Sequence, residues 1–158
     1  RPNLFAYPYG EASLSVAATI KAAGFSAAFG QHSGVIGSTG DMYFLPRFAM
    51  NETYGDLGRL RLAINALPLR VKDVTPPDHK ITAANPPAMG FTVVGNMGDL
   101  KRLSCYLSHA GRGELIDLKP RIEVRTAKKF VPGRTRLNCT LPVTIDRWRW
   151  YGRQFFIP

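Results

Sequence analysis

The sequence predicts an α/β segment followed by an antiparallel β-sandwich, and three observations support this prediction. Residues 1–70 alternate between short apolar runs and helical spacing. Two proline-rich sites, Thr75-Pro76-Pro77 and Asn85-Pro86-Pro87, then interrupt the pattern. After residue 88, short runs with period-two alternation are separated by turn residues. The chain is therefore divided into residues 1–70, a linker or extended crossing strand over 71–88, and an accessory β-sandwich domain over 89–158.

The first 29 residues have the pattern of a strand–helix–strand unit. Leu4 to Tyr7 is a short apolar run, and a turn over residues 8–10 ends it. Residues 12–23 are alanine-rich with helical spacing, and Gly24 is a suitable C-cap. Phe25 to Phe29 is a second apolar run. A strand–helix–strand unit of this kind predicts a parallel strand pair with a right-handed crossover.

A second helix is predicted from about Tyr54 to Ala66. Its apolar stripe consists of Leu57, Leu60, Ile64 and Leu67, and Pro68 ends it.

The last 70 residues contain no convincing helix. Turn residues, including Gly95-Asn96 and Pro132-Gly133, separate five alternating runs that are typical of sandwich strands. The runs are Phe91 to Val94, Leu103 to Leu107, Ile122 to Arg125, Thr135 to Leu141, and Trp148 to Ile157.

The two cysteines occupy equivalent positions in their strands. Cys105 and Cys139 each share their phase with flanking leucines, so both side chains should point into one core. In an exported protein we predict a disulfide, which could contribute about 2–4 kcal/mol. Two buried free thiols are the alternative if the protein is cytosolic. No CxxC pair or nearby histidine supports a metal site.

The net charge of +10 is concentrated in the second half of the chain. Residues 1–70 hold six Lys/Arg against four Asp/Glu, and residues 71–158 hold fifteen against seven. This excess predicts an anionic partner (a nucleic acid, a membrane surface or an acidic glycan), or else a solvated basic surface. No nucleic-acid motif is present, and no apolar run approaches the roughly 18 residues of a membrane span.

The C-terminal strand alternates arginine with tryptophan. Trp148 and Trp150 share one face, and the neighbouring arginines share the other. The tryptophans either stack on sugar rings, if exposed, or belong to the sandwich core. By the same alternation, Arg134 and Arg136 should line the outer face of their strand.

Residues 5–11 (Phe-Ala-Tyr-Pro-Tyr-Gly-Glu) lie where a parallel strand leads into a helix, a usual position for active-site loops. The segment resembles the third conserved motif of the metal-dependent polysaccharide deacetylases, which form carbohydrate esterase family four and include the chitin-oligosaccharide deacetylases. The likeness is greatest to the bacterial envelope branch. It continues through residues 28–31, 45–48 and 67–69, and through the closing segment 147–155.

The resemblance implies the C-terminal portion of a (β/α) deacetylase barrel. In this family an Asp and two His hold a divalent, zinc-like metal ion, and a second Asp is the base that assists attack of water on an acetyl group. Those motifs precede the third motif and are absent here, and His32, His79 and His109 match none of them. The chain opens with Arg1-Pro2-Asn3 and reaches an apolar run at once, with no Met before it, so we expect Arg1 to be a cut end; a domain that simply starts there is the alternative. The parent would be an amide hydrolase, and this fragment would bind no metal through the family ligands and be inactive alone.

The family's site residues carry over at five positions. Tyr9 matches the residue whose main-chain N–H holds the reacting carbonyl oxygen, and we assign it as catalytic. Tyr7, Pro8 and Gly10 match the turn that positions it, and Arg47 matches a Leu-Pro-Arg position near the substrate. A surface ion pair is the alternative for Arg47. The chain departs from the family in having Ala6 where many members have an arginine, and in lacking the late Leu-x-His motif.

The expected partners are an acetylated polysaccharide, an anionic glycan and the missing N-terminal part of the same protein, with no nucleic acid and no transmembrane segment. The expected location is periplasmic or secreted. The alternative function is a glycan-binding or structural β-sandwich module of an envelope protein.

Overall fold

The computed structural model describes residues 2–158, and its N-terminal part contains the expected strand–helix–strand unit. Strand β1 (Leu4–Ala6) pairs in parallel with β2 (Ala27–Phe29), and helix α1 (Leu14–Ala22) connects them. The Ser13 hydroxyl accepts a hydrogen bond from the Val16 amide at the start of α1. This bond satisfies one of the N–H groups that lack a partner in the first turn of a helix.

The prediction of a (β/α) barrel portion is wrong. In residues 2–158, strands account for 37% and helices for 15%, and the sheets do not close into a barrel. A barrel needs a new parallel strand beside the last one after each helix. Here helix α2 (Leu57–Asn65) is followed by β3 (Leu67–Pro68), which pairs instead with the C-terminal strand β11 (Arg147–Ile157). Beyond β1 and β2, this sheet is extended within the described residues only by an isolated parallel bridge between Phe29 and Leu45. Arg1, the expected cut end, lies outside the described residues.

The remaining strands form two larger sheets. One has five strands in the order β3-β11-β10-β6-β7, and the other has four in the order β4-β5-β9-β8. Every pair is antiparallel except β3–β11. The strands not yet located are β4 (Val71–Thr75), β5 (Met89–Val93), β6 (Ser104–Leu107), β7 (Gly111–Arg112), β8 (Glu114–Asp117), β9 (Arg121–Arg125) and β10 (Gly133–Thr144).

The two larger sheets enclose one hydrophobic core. Leu137, Leu141 and Phe155 from the five-stranded sheet are buried in the same cluster as Phe91 and Val124 from the four-stranded sheet. The alternation along β10 follows the expected phase, because burying every second residue is what a sheet with one covered face requires. The two sheets thus form a sandwich around this cluster.

A disulfide joins Cys105 to Cys139 inside this core. The two residues lie directly opposite each other on the neighbouring strands β6 and β10. The bridge therefore lies within one sheet, whereas in an immunoglobulin-type domain it joins two.

The N-terminal segment packs on the outer face of the five-stranded sheet. The Gln154 side-chain amide donates to the carbonyls of Tyr9 and Gly10. Gly152 is needed where the layers meet, because a Cβ at that position would overlap the Ser33 carbonyl oxygen.

Within 71–88, residues 71–75 form an edge strand of the four-stranded sheet. The domain boundaries at 70 and 88 stay predictions.

In residues 2–158, no helix is both long enough and apolar enough to span a lipid bilayer.

Candidate functional site

The motif turn that follows β1 is held against the sandwich. Pro8–Gly10 forms a short 3₁₀ turn in which Tyr9 and Gly10 have φ values of 56° and 70°. Glycine tolerates this left-handed region. At Gly10 it also avoids a clash, since a Cβ there would lie 2.6 Å from the backbone nitrogen of Gln31. With both turn carbonyls bound by Gln154, the turn has a defined position on β11.

The two motif tyrosines have different environments. Tyr7 is buried, and its hydroxyl donates to the Tyr43 carbonyl. Burial, with a smaller effect from Asp41, raises the pKa of the Tyr7 hydroxyl above its usual value. The side chain of Tyr9 is exposed, and the Arg134 guanidinium lies 5.3 Å from its ring centroid. Tyr7 therefore packs in the N-terminal layer, and Tyr9 lies on the surface. Their predicted roles in substrate binding and catalysis stay predictions.

Arg47 lies in an open cleft of about 740 Å³ between the N-terminal layer and the outer face of β6 and β10. We call this the Arg–Tyr cleft. Its volume falls in the range of pockets that take small organic ligands. Its lining side chains combine arginines, tyrosines and amides and include no carboxylate. They are Gln31, Ser33, Arg47, Phe48, Met50, Asn51, Tyr54, Arg59, Tyr106, Ser108, Arg136 and Asn138, with Ala49 and Leu107 completing the wall.

Strand alternation builds the floor of the Arg–Tyr cleft. Arg136 and Asn138 lie on the face of β10 that points away from the sandwich core. Tyr106 is directly opposite Asn138 on β6, which places its half-exposed ring on the same face. The Gln154 side chain accepts a hydrogen bond from Arg136 Nε at 3.2 Å. One glutamine therefore links the motif turn to the floor of the cleft.

The loop after β2 and helix α2 build the opposite wall. Arg47 Nε donates to the Gly30 carbonyl at 2.9 Å. Arg59 is held by aromatic rings, with its guanidinium carbon 5.7 Å from the Phe48 centroid, 5.6 Å from Tyr54 and 5.9 Å from Trp150. Arg59 Nε is buried without a hydrogen-bond partner. The ring faces attract the cation but do not neutralise its charge as a carboxylate would.

The three cleft arginines are not neutralised by nearby acids. The ion pairs among residues 2–158 are Lys72–Asp73, Arg125–Glu123 and Arg134–Glu11, so Arg47, Arg59 and Arg136 form none. Three cations lining one cleft without a carboxylate create a positive potential, which favours anionic ligands.

Trp150 supports the cleft and does not belong to the sandwich core. Its ring packs edge-on against Phe48 at 5.2 Å, and its Nε1 donates to Asn138 Oδ1 at 3.2 Å. The arginines of β11 lie on the other face, where Arg149 donates to the carbonyls of Met97 and Pro68. The sequence correctly predicted that the tryptophans and the neighbouring arginines lie on opposite faces of the strand. The prediction that the tryptophans belong to the sandwich core is wrong for Trp150.

Two histidines flank Phe44 at the edge of a second, smaller cavity of about 410 Å³. His32 stacks on Phe44 at 4.5 Å between centroids, and His79 lies 3.6 Å away on the same ring. Burial, then Arg153 and Arg136, lowers the pKa of His32 to about 3. Burial and Arg153 lower the pKa of His79 to about 2. Both imidazoles are therefore neutral at physiological pH.

Within the part of the chain that the structure describes, no three His, Cys, Asp or Glu side chains gather as metal ligands would. His32 and His79 lie in loops, as the sequence suggested, but both are buried, whereas His109 is exposed.

Sequence reasoning found one cleft residue by resemblance, Arg47, and placed Arg136 on the outer face of its strand. It missed Tyr54, Arg59 and Tyr106. Because Tyr106 follows the buried Cys105 in an alternating strand, the sequence could have shown that Tyr106 faces outward. No local pattern shows that the loop after β2, helix α2 and the strands β6 and β10 meet in one cleft.

Comparisons with protein-family models, with curated proteins and with solved structures found no match to this chain.

Proposed function

We propose that this chain binds an acidic polysaccharide in the Arg–Tyr cleft. The observation that supports the proposal is the cleft lining itself, which holds three arginines without an ion-pair partner and two half-exposed tyrosines but no carboxylate. Arginine binds carboxylates and phosphates through paired hydrogen bonds, and tyrosine rings stack on the apolar faces of sugars. Such a function belongs to a protein of the periplasm or the cell exterior.

The cleft supports an acidic rather than a neutral glycan. A site for neutral sugars needs aromatic faces and amide or carboxyl groups. Arginines without an ion-pair partner would add little to the affinity for such a sugar. The amides of Gln31, Asn51 and Asn138 can bind sugar hydroxyls, and the arginines Arg47 and Arg136 supply the charge that selects uronic-acid or phosphate groups.

Calorimetric titration with a uronic-acid oligosaccharide and a neutral glucan of equal length tests this proposal. We expect the acidic oligosaccharide to bind more tightly, and its affinity to fall as salt is raised. Tyr54→Ala and Tyr106→Ala should each weaken binding about tenfold through lost stacking. Arg47→Gln should weaken binding of the acidic ligand by a similar factor.

Arg61→Gln is the matched control, since it removes one exposed charge from helix α2 without touching the cleft. Equal weakening by Arg61→Gln and Arg47→Gln would contradict the proposal, because it would show a response to net charge alone. Binding of duplex DNA in preference to the acidic glycan, with the same variants affected, would also overturn it.

Deacetylation of an envelope glycan by a longer parent protein is a second candidate function. It is favoured by the resemblance of residues 5–11 to the deacetylase motif and by the proximity of this turn to the cleft, since Gly10 packs on Gln31. The described residues do not form the barrel portion that this family would require, which weighs against this candidate.

In this second proposal the chain alone has no deacetylase activity, because the metal ligands and the base would lie upstream. We expect no acetate release above background when the chain is mixed with a divalent metal and an N-acetylglucosamine oligomer. Metal-dependent acetate release by this chain, abolished by chelation, would refute the claim that its catalytic groups are elsewhere.

A further inference from the structure

Helix α2 presents its apolar stripe to solvent. Leu57, Leu60 and Ile64 are spaced three and seven residues apart, so they lie on one face, and they are 71%, 42% and 71% exposed. The half-buried residues of the helix, Arg59 and Leu62 among them, face the protein. A surface helix normally buries its apolar stripe against the core. This arrangement is therefore reversed, and it leaves three large aliphatic side chains exposed to solvent in the described structure.

Basic side chains accompany this apolar face. Arg61 is exposed one residue after Leu60. At the C-terminal end of the helix, Arg147 Nε donates to the Asn65 carbonyl at 3.0 Å. Ile145, which is 92% exposed, lies at the tip of the β10–β11 hairpin two residues before Arg147. We call this surface the α2 patch, defined by Leu57, Leu60, Arg61, Ile64, Ile145 and Arg147.

We propose that the α2 patch docks on an anionic lipid surface. An interfacial helix inserts aliphatic side chains at the boundary between headgroups and acyl chains, and its basic residues contact lipid phosphates. The α2 patch offers both components. The net charge of +10 adds long-range attraction to a negative surface. Two acidic residues also lie in this region: Asp56 caps the helix by accepting a hydrogen bond from the Arg59 amide, and Asp146 is exposed between Ile145 and Arg147. The attraction to an anionic surface therefore rests mainly on the net charge of the whole chain.

A second copy of this chain fits the α2 patch less well. Two chains that each carry a net charge of +10 repel each other. A stable dimer buries about 800 Å² on each partner, and the aliphatic side chains of the patch provide only a fraction of that area. A lipid surface requires no matching shape and supplies the opposite charge.

Co-sedimentation with vesicles tests the proposal. The full chain should bind mixed phosphatidylglycerol and phosphatidylcholine vesicles and bind pure phosphatidylcholine vesicles far more weakly. The double variant Leu57→Ser/Ile64→Ser should bind the anionic vesicles at least about tenfold more weakly. Arg61→Gln should reduce binding about fivefold. Leu118→Ser, which changes an exposed leucine remote from α2 after strand β8, is the matched control and should bind like wild type.

Failure of the wild-type chain to bind the anionic vesicles would overturn the proposal, as would unchanged binding in the double variant. Concentration-dependent dimerisation without vesicles, abolished by the same variant, would assign the α2 patch to a second copy and also overturn it. Because the substituted side chains are exposed, thermal unfolding should show that the variants fold. Ile145→Ser, on the hairpin, tests the patch without altering the helix and should also weaken binding. Acidic-glycan binding is measured separately and does not depend on these outcomes.

Discussion

Lowering the pH from about 7 to about 5 is expected to reduce the free energy of unfolding by roughly 4 kcal/mol. The cause is the buried pair His32 and His79. Burial, with Arg153 nearby, holds the pKa of His32 at about 3 and that of His79 at about 2. In the unfolded chain both imidazoles titrate near the usual value of about 6.5.

The direction of this effect follows from which state binds protons. Below a pH of about 6.5 the unfolded chain gains two protons that the folded chain does not bind, so acid favours unfolding. Stability is complete above that pH and is lost progressively as the pH falls toward about 3, where His32 begins to titrate in the folded state. Each histidine contributes about 2 kcal/mol of the loss at a pH of about 5.

Urea unfolding at a series of pH values measures this loss. His79→Asn should remove about half of the pH dependence, and its amide keeps a donor near the Gln154 carbonyl that His79 Nδ1 now contacts at 3.2 Å. His109→Gln changes an exposed histidine and should leave the slope unaltered. A stability that does not vary between these pH values would show that the imidazoles are not held neutral in the folded protein.

Breaking the Cys105–Cys139 bridge is expected to cost about 3–4 kcal/mol of stability. The bridge connects residues 34 positions apart, so its loss gives the unfolded chain the entropy of an open loop of that length. Both cysteines are fully buried, and thiol reagents should label them only after unfolding and reduction.

Reduced wild-type protein is the matched comparison for Cys105→Ala/Cys139→Ala. Reduction keeps both sulfur atoms and removes only the covalent bond, whereas the double variant also leaves unfilled core volume and should be less stable still. Denaturant unfolding of the oxidised, reduced and double-variant forms separates the two effects. Two free thiols detected by mass spectrometry in the native protein, with no change on reduction, would favour the alternative of buried cysteines without a bridge.

The strands could largely be predicted from the sequence because their signal is local. A strand with one covered face alternates every second residue, so the run from Thr135 to Leu141 showed both the strand and its inward phase. Helix α2 was also visible, since its stripe has helical spacing and Pro68 ends the pattern, although its start at Leu57 was placed three residues too early. In each case the pattern and its cause lie within a few residues.

The pairing of strands could not be predicted in the same way. A barrel would require the strand after α2 to join the β1–β2 sheet, but β3 pairs with β11 instead, more than 80 residues later. The direction in which the α2 stripe faces could not be predicted for the same reason, because it depends on long-range packing. Periodicity shows that Leu57, Leu60 and Ile64 share a face, but only the docking of the helix on the sandwich leaves that face exposed.

The sequence by itself determined which residues share a face, where the basic charge is concentrated, and that the two cysteines point the same way. The tertiary structure alone decided which of those faces is covered. It brought Arg47, Arg59 and Arg136 into one cleft and put Trp150 beside them. The physical reason is that alternation is set by local backbone geometry, whereas burial and electrostatic potential depend on segments far apart in the chain.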